Sequence, residues 1–214
     1  MKNVKPTISN ELDTVDDLLL LINISKEEER DIVKKCIKDM SFVDIDISAV
    51  CFNEVIFENC KFNNCIFRRT DFIDVIFKFC DLSNSSFNDG YFNRCEITSC
   101  KGVGINLLNS NLQHVSLINN NFKYANFFAD KLKNVSILES DLSNGNITEC
   151  KLTNLELEDV KLIGTSFFKT PLEGIDLTRS QVDGIIVSGE ELKGAIVSTS
   201  QAADLAKLLG LIVK

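Results

Sequence analysis

The 214-residue sequence contains no tryptophan, only two prolines and a single histidine, His114. Histidine is the side chain that most often exchanges protons near neutral pH, so its scarcity leaves little material for ordinary acid–base catalysis. Basic residues are also a minority, with 23 Lys and Arg against 31 Asp and Glu and a net charge of −8. Direct nucleic-acid binders carry a basic stripe that neutralises phosphates, so we expect no direct binding of DNA or RNA.

Long hydrophobic runs are missing as well. The longest aliphatic run, Leu18 to Ile22, is far too short to cross a bilayer, and no apolar leader with a small-residue cleavage site opens the chain. We therefore predict a cytoplasmic protein with no membrane partner. In that compartment the eight cysteines are expected to stay reduced.

A five-residue repeat dominates what is present. An apolar residue recurs at every fifth position from Phe42 to Val197, and Gly102 is the one exception in 32 positions. Two residues before most of these lies a small side chain, and six of the eight cysteines occupy such positions. A period of five fits neither a helix nor an ordinary strand, so it predicts a solenoid whose coils bury one large and one small side chain per repeat.

The repeat unit also has a recognisable form. Thr70-Asp71-Phe72, Cys80-Asp81-Leu82 and Ala125-Asn126-Phe127 are similar to the A(D/N)LXX consensus of the pentapeptide-repeat family. The resemblance implies an all-β solenoid, a right-handed quadrilateral β-helix with four pentapeptides per coil. It covers residues 40–199, about three quarters of the chain.

Both ends of the solenoid are predicted to be helical. Ser25 and Glu28 form a capping-box pattern that predicts a helix running to Met40, and a shorter helix is expected behind Ser9 or Asn10. This extension is interpreted either as a plug on the rod or as a separate partner-binding element. The predicted organisation is a helical N-terminal extension (1–39), a β-helix (40–199), and a C-terminal helix and tail for dimerisation (200–214).

The C-terminal helix is expected to begin at Ser198 or Thr199 and to stop at Gly210. So short a helix, followed by an aliphatic tail, has too little chain to bury its own apolar side chains. The sequence therefore predicts a homodimer through this end. The predicted interface residues are Leu205, Leu208, Leu209, Leu211 and Ile212.

Three local segments resemble one group within the pentapeptide-repeat family, the Qnr-type quinolone-resistance proteins. They are residues 102–105, 121–127 and the tail 200–213. Because no loop interrupts the period, the chain also resembles the MfpA type. The resemblance implies a DNA-mimicking rod that engages the type II topoisomerases DNA gyrase and topoisomerase IV and modulates quinolone action. A scaffold protein with an unknown protein partner is the alternative.

Four repeats per coil give the rod four sides, and one of them is the most acidic. This acidic face comprises residues 55–59 and the equivalent five residues of each later coil, to 175–179. Its bases are Lys78 and Arg179. Such a charge field attracts a basic partner, so its carboxylates are the predicted partner-binding residues. They are Glu58, Glu96, Glu139, Glu156, Glu158, Asp159 and Asp176.

No group of residues in the sequence has the spacing of a catalytic site or a metal site. The closest cysteine pairs, Cys60 with Cys65 and Cys95 with Cys100, follow the repeat period instead of a zinc-site spacing. His114 has no neighbouring serine, cysteine or carboxylate arrangement typical of an activated nucleophile. The sequence thus predicts a binding protein with no catalytic residues, no metal and no cofactor, and not an enzyme.

Overall fold

The computed structural model describes residues 4–208 and 210–213 and is built mainly from short parallel strands, isolated parallel bridges and the turns between them. Two α-helices, α1 (Leu18–Glu28) and α2 (Thr199–Leu208), lie near its ends. The strands are β1 (Asp13–Thr14), β2 (Ile32–Lys38), β3 (Ser41–Val43), β4 (Cys51–Glu58), β5 (Lys61–Asn63), β6 (Asp71–Lys78), β7 (Tyr91–Thr98), β8 (Asn111–Ile118), β9 (Lys131–Leu138) and β10 (Lys151–Glu158). Among the described residues, no helix is long and apolar enough to cross a membrane.

The strands pair in parallel, and from β2 onward the offset between paired strands is a constant twenty residues. Phe52 aligns with Phe72 and Phe72 with Phe92, and the large sheet has the order β1-β2-β4-β6-β7-β8-β9-β10. Twenty residues are four five-residue repeats, so each turn of the chain has four sides. The structure confirms the predicted β-helix as a parallel solenoid of about seven turns.

The central apolar residue of each repeat points into the coil. In the first half of the rod most of these residues are phenylalanines, and several stack on the equivalent ring of the next coil, with centroid distances of 4.7 Å for Phe57–Phe77 and 4.6 Å for Phe67–Phe87. The small residues pack beside them, and the buried Cys80 thiol donates to the carbonyl oxygen of Phe57. This arrangement explains the cysteine spacing, and all eight cysteines are free.

The chain turns each corner at the second residue after the central one. At nearly every corner this residue has positive φ, as at Asn64 (55°) and Asn84 (57°). Asparagine tolerates the left-handed region because its short amide bonds locally, and glycine has no Cβ to clash. The corners therefore account for part of the asparagine-rich pattern between the apolar positions.

The predicted helix from Ser25 to Met40 is wrong. Helix α1 starts earlier, where Asp17 Oδ1 accepts from Leu20 N at 3.0 Å, and it ends at Glu28. The following segment is strand β2, in which Ile32 and Ile37 align with Phe52 and Phe57. Those isoleucines satisfy the five-residue series as well as helical spacing, and pairing with β4 decides in favour of the strand. The N-terminal extension is therefore partly solenoid.

The N-terminal end of the core is covered by α1. Leu18 and Ile22 are buried on its inner side, together with Val15 just before the helix. The opposite side of the helix exposes Leu20 and Ile24. One helix thus closes the first coil, as the plug interpretation of this segment requires.

The predicted C-terminal helix is confirmed as α2. Ser198 Oγ accepts from Gln201 N at 3.3 Å, and the Gln201 side chain donates to the carbonyl oxygens of Leu177 and Ser180 at 2.7 and 2.8 Å. Gly210 has φ 78°, as expected of a helix stop. The amide of Gln201 therefore ties α2 to the last coil.

The buried carboxylate of Glu191 replaces a missing strand partner near this end. In earlier coils the corner N–H donates to the carbonyl nineteen residues later, as from Glu149 to Phe168 at 3.1 Å. Lys169 N donates instead to Glu191 Oε1 at 2.8 Å, and the same carboxylate accepts from Ser188 N at 2.8 Å. Burial alone would raise the pKa of Glu191, but these hydrogen bonds outweigh it and hold the pKa at about 2.

We expect Glu191→Ala to lower the free energy of unfolding by about 2 kcal/mol at neutral pH, because buried N–H groups lose a charged acceptor. The folded pKa lies below the ordinary value of 4.5, so the wild type holds this stability above pH 4.5 and loses it as the pH falls towards 2. Urea denaturation at pH 7 and pH 3 measures both effects. Glu190→Ala is the control, since exposed Glu190 bonds Lys193 at the surface; equal losses in the two variants would contradict the assignment.

Candidate partner-binding face

The twenty-residue register places all seven predicted carboxylates on one side of the rod. In one column Glu96, Ser116, Ser136 and Glu156 are successive pairing partners. Asp176 continues this column, and Glu139 lies at the edge of the same side, where its N–H donates to Glu158 O at 2.9 Å. The acidic face is therefore a continuous surface of the folded chain.

Ion pairs divide this face into two parts. At the N-terminal end, Glu58 lies between Lys38 and Lys78, at 2.7 and 2.9 Å. Hydrogen bonds from these two lysines lower the pKa of Glu58. The two ammonium groups compensate the carboxylate, so Glu58 contributes little net negative field. Sequence reasoning missed Lys38 because its strand was predicted as helix.

The C-terminal part keeps its negative charge. Arg179 contacts both Glu158 and Asp159, the latter at 2.7 Å, so two carboxylates share one guanidinium. Glu156 and Asp176 flank Arg179 in a shallow groove of about 510 Å³. Hydrogen bonds from the Thr178 hydroxyl and N–H lower the pKa of Asp176, which keeps it ionised at neutral pH.

The charge density of this part is close to that of a nucleic-acid strand. Glu96 and Asp176 are four coils apart, about 19 Å at the usual strand spacing. Six predicted carboxylates lie on this length of the face, and Arg179 is the base among them, so five negative charges remain. That is one charge per about 4 Å, against one per about 3.4 Å along a strand of B-DNA. The coil of residues 115–119 contributes none of them.

An acidic residue at the edge of this face had not been predicted. Asp74 occupies the corner before residues 75–79, and its carboxylate pairs with the Arg94 guanidinium and accepts from Thr7 N at 2.8 Å. Its side chain is only 8% exposed. In the sequence, an asparagine or aspartate at a corner is interpreted as a residue that favours a turn. Nothing in the sequence therefore predicts the contacts of Asp74 with Arg94 and Thr7.

The predicted dimer residues separate into two groups. Leu205 is buried in the core of its own chain, so it is not available to a second copy and that assignment is wrong. Leu208, Leu211 and Ile212 are 46%, 60% and 88% exposed. Leu209 lies outside the described residues. Three of the five predicted positions thus offer an apolar surface.

The side opposite the acidic face is nearly free of charge in its middle. It comprises residues 65–69 and the equivalent five residues of each later coil. Asn106, Asn126 and Asn146 form an amide ladder along it, with Nδ2–Oδ1 distances of 2.9 Å. Phe168 and Ile186 are exposed on the same side. Within the described part of the chain, no group of three or more His, Cys, Asp or Glu residues could hold a metal ion.

The fold and the surface together define the class of protein: it is a parallel β-solenoid built from five-residue repeats, with one acidic side. Residues 70–147 match the family model of the pentapeptide repeat region, so the chain contains a pentapeptide-repeat region. No curated protein matches the sequence.

Among solved structures, the chain is similar to two trypsin-treated variants of QnrB1, a plasmid-mediated fluoroquinolone resistance protein. The first has a TM-score of 0.55 and 18% identity, covering 84% of this chain and 99% of that one. The second has a TM-score of 0.54 and 22% identity, covering 86% and 93%. At these identities the likeness concerns the fold alone.

Proposed function

We propose that this rod occupies the basic DNA-binding surface of a type II topoisomerase, DNA gyrase or topoisomerase IV, in place of duplex DNA and thereby modulates quinolone action. The observation that carries the proposal is the five net negative charges along about 19 Å of one side, because their mean density approaches that of the phosphates of a DNA strand. The shared fold with QnrB1, itself a fluoroquinolone resistance protein, supports it.

The solenoid suits this task because it is preorganised. Strand pairing fixes the backbone beneath each carboxylate, so binding orders side chains and not loops, and less conformational entropy is lost. A matching field also accelerates encounter with a basic groove. The proposed activity is binding without catalysis, and it places the protein in the cytoplasm with the topoisomerase and its DNA.

We expect the triple variant Glu156→Lys, Glu158→Lys, Asp159→Lys to weaken topoisomerase binding about tenfold or more, because it reverses the charge where the face is most acidic. The measurement is gyrase supercoiling with and without ciprofloxacin across a titration of the protein. Wild type should change supercoiling or its drug sensitivity at concentrations where the variant has no effect.

A matched control keeps the same net charge change. Glu149→Lys, Glu173→Lys and Asp183→Lys lie on the three other sides, and Glu149, like Asp159, is an ion-paired corner residue with positive φ. This variant should act as the wild type does. Equal loss in both triple variants would mean that overall charge alone matters, and no effect of the wild type on either topoisomerase would remove the proposal.

We further propose that the exposed C-terminal leucines join two rods into a homodimer. Leu208 and Leu211 are both exposed at the C-terminal end, and association buries such aliphatic surface. Leu208→Asp should convert the dimer to a monomer, since it would bury an unpaired charge. Light scattering checks the mass, with Lys207→Asp as a control at the neighbouring exposed position; a Leu208→Asp protein that stays dimeric contradicts this interface.

A scaffold role with another protein partner is the second candidate. The opposite side favours it, because the amide ladder in its middle forms a surface with little charge and no use in DNA mimicry. The two functions respond differently to salt. Binding through the acidic face weakens as ionic strength rises, whereas binding through the amide ladder of the opposite side changes little.

A further inference from the structure

One pair of neighbouring coils is not joined by backbone hydrogen bonds on two of its sides. Strand β10 pairs with β9 but, in the described part of the chain, not with residues 171–179 of the next coil, and it ends the large sheet. The corner N–H groups show the same break. Glu139 N donates to Glu158 O at 2.9 Å, whereas the equivalent N–H of Asp159 has no backbone acceptor among the described residues.

Pro171 accounts for this break. At the equivalent position of the preceding coil, Lys151 N donates to Asp130 O at 2.9 Å and joins two coils. Proline has no N–H, so residue 171 cannot form the corresponding bond, and a proline within a ladder interrupts the pairing. Pairing resumes on the next side, where Leu162 N donates to Gln181 O at 2.8 Å. The two coils thus stay joined on the remaining sides.

The break leaves a groove with an unpaired strand edge along one wall. This is the groove of about 510 Å³ described above; residues 154–158 line one wall, and Gly174, Asp176 and Arg179 line the other. Clefts of about 300–1,000 Å³ are typical of binding sites. Leu152 of β10 is half-buried, whereas the equivalent Leu132 of β9 is buried. The main-chain groups on this edge of β10 therefore face an open groove instead of the next coil.

A free edge of this kind accepts a further strand. Main-chain groups supply hydrogen bonds whatever the sequence of the added strand, and side-chain contacts select which strand binds. Arg179 pairs with other carboxylates, so Glu156 and Asp176 keep their negative charge at the groove. Leu155 and Leu157 add apolar side chains to its lining. The matching strand alternates small apolar residues with Lys or Arg.

We propose that this groove, opened by Pro171, is a docking site for an extended basic segment of a protein partner, which adds to β10 as a further strand. The inference deepens the proposed function, because the groove lies in the acidic face. It identifies one place on the rod where a partner binds through main-chain hydrogen bonds, whereas the rest of the face acts through its charge.

The probe is a fluorescent octapeptide of alternating valine and lysine, titrated with the full chain at low salt. An extended conformation places its lysines on one side and its valines on the other. The control octapeptide has the same composition and charge, with all lysines before all valines. We expect the alternating peptide to bind about tenfold more tightly, since it alone can pair with β10 and direct every lysine to the carboxylates.

Hydrogen exchange followed by NMR tests the strand pairing itself. Leu162 N and Gly164 N bond the next coil, and the corresponding N–H groups of Leu152, Asn154 and Leu157 point to the groove. Saturation with the alternating peptide should slow exchange at these three groups about tenfold or more, because an added strand covers them.

Pro171→Asn supplies the missing N–H, with the residue that occupies the equivalent position 111. This variant should close the groove and bind the alternating peptide about tenfold more weakly than wild type. Pro6→Asn makes the same substitution at the other proline, far from β10, and should bind as wild type does.

Three results would overturn the docked strand: equal or absent binding of the two peptides, unchanged exchange at the three N–H groups, or wild-type affinity in Pro171→Asn. Because the octapeptide replaces the topoisomerase, these results are independent of the supercoiling assay. A rod that fails to affect gyrase but meets all three expectations loses its proposed function and keeps its docking site.

Discussion

Replacing Phe77 by alanine is expected to lower the free energy of unfolding by about 3–5 kcal/mol. Phe77 is fully buried, stacks on Phe57 at 4.7 Å and contacts Phe72 edge-on at 5.5 Å. The coils on either side of Phe77 cannot move into the cavity that the substitution leaves, because backbone pairing fixes the distance between coils. Urea denaturation followed by circular dichroism measures the loss.

Phe79 supplies the matched control for this substitution. It is two residues away in the same coil, but it lies at a corner and is 61% exposed. Phe79→Ala removes the same atoms without opening a cavity, so a change within about 0.5 kcal/mol is expected. Comparable losses at the two positions would show that the stacked interior is not what stabilises the rod.

Asp130→Asn is expected to stabilise the protein, and increasingly so as the pH rises. Burial raises the pKa of the Asp130 carboxyl to about 9; one oxygen accepts from Ser110 N at 2.6 Å, and the other has no hydrogen-bond partner among the described residues. The folded pKa exceeds the ordinary 3.8, so between these pH values the folded chain holds a proton that the unfolded chain has released. Its free energy of unfolding then falls by about 1.4 kcal/mol per pH unit.

Asparagine has a similar shape and does not titrate. The variant should match the wild type near pH 4 and exceed it by about 5–6 kcal/mol at pH 8. Denaturant midpoints at pH 5 and pH 8 measure the difference. If the variant and wild type vary identically with pH, Asp130 is not held protonated in the folded state.

Asp141→Asn provides a control of opposite sign. Burial raises the pKa of Asp141, but hydrogen bonds from Ser143 and the charge of Lys123 outweigh it, and the net pKa is lowered. This carboxylate therefore stabilises the fold above its ordinary pKa and loses that contribution in acid. Its substitution should cost stability at neutral pH, where Asp130→Asn gains it.

The interior and the sides of the rod could be predicted because they depend on a period. A residue such as Phe92 lies inside for the same reason as Phe72, and a period of twenty fixes which carboxylates share a side. The ends depend on competition between patterns. Ile32 and Ile37 fit both a helix and the repeat, and only pairing with β4 distinguishes the two.

Charge compensation was harder to foresee than charge position. The negative charge of Glu58 is compensated by Lys38 of the preceding coil. This ion pair could be predicted only if residues 32–38 were recognised as a strand that pairs with β4. Glu191 is buried although its position in the five-residue period predicts an exposed side chain. The sequence does contain one sign that the repeat is irregular here, because the charged Glu190 occupies a position where a small residue is expected. Leu205 was assigned to an interface because nothing in the sequence showed that the last coil leaves room for it.

The constant offset of twenty residues also constrains how such a chain can change in length. Insertion or loss of one complete turn lengthens or shortens the rod and leaves every side chain facing the same way. Gain of a single repeat in the middle rotates everything downstream by a quarter turn, so Glu156 and Asp176 no longer face the same direction as Glu96. The number of residues per turn thus determines which side chains share a side of the rod. Related sequences keep the acidic face on one side only if insertions and deletions within it comprise whole turns of twenty residues.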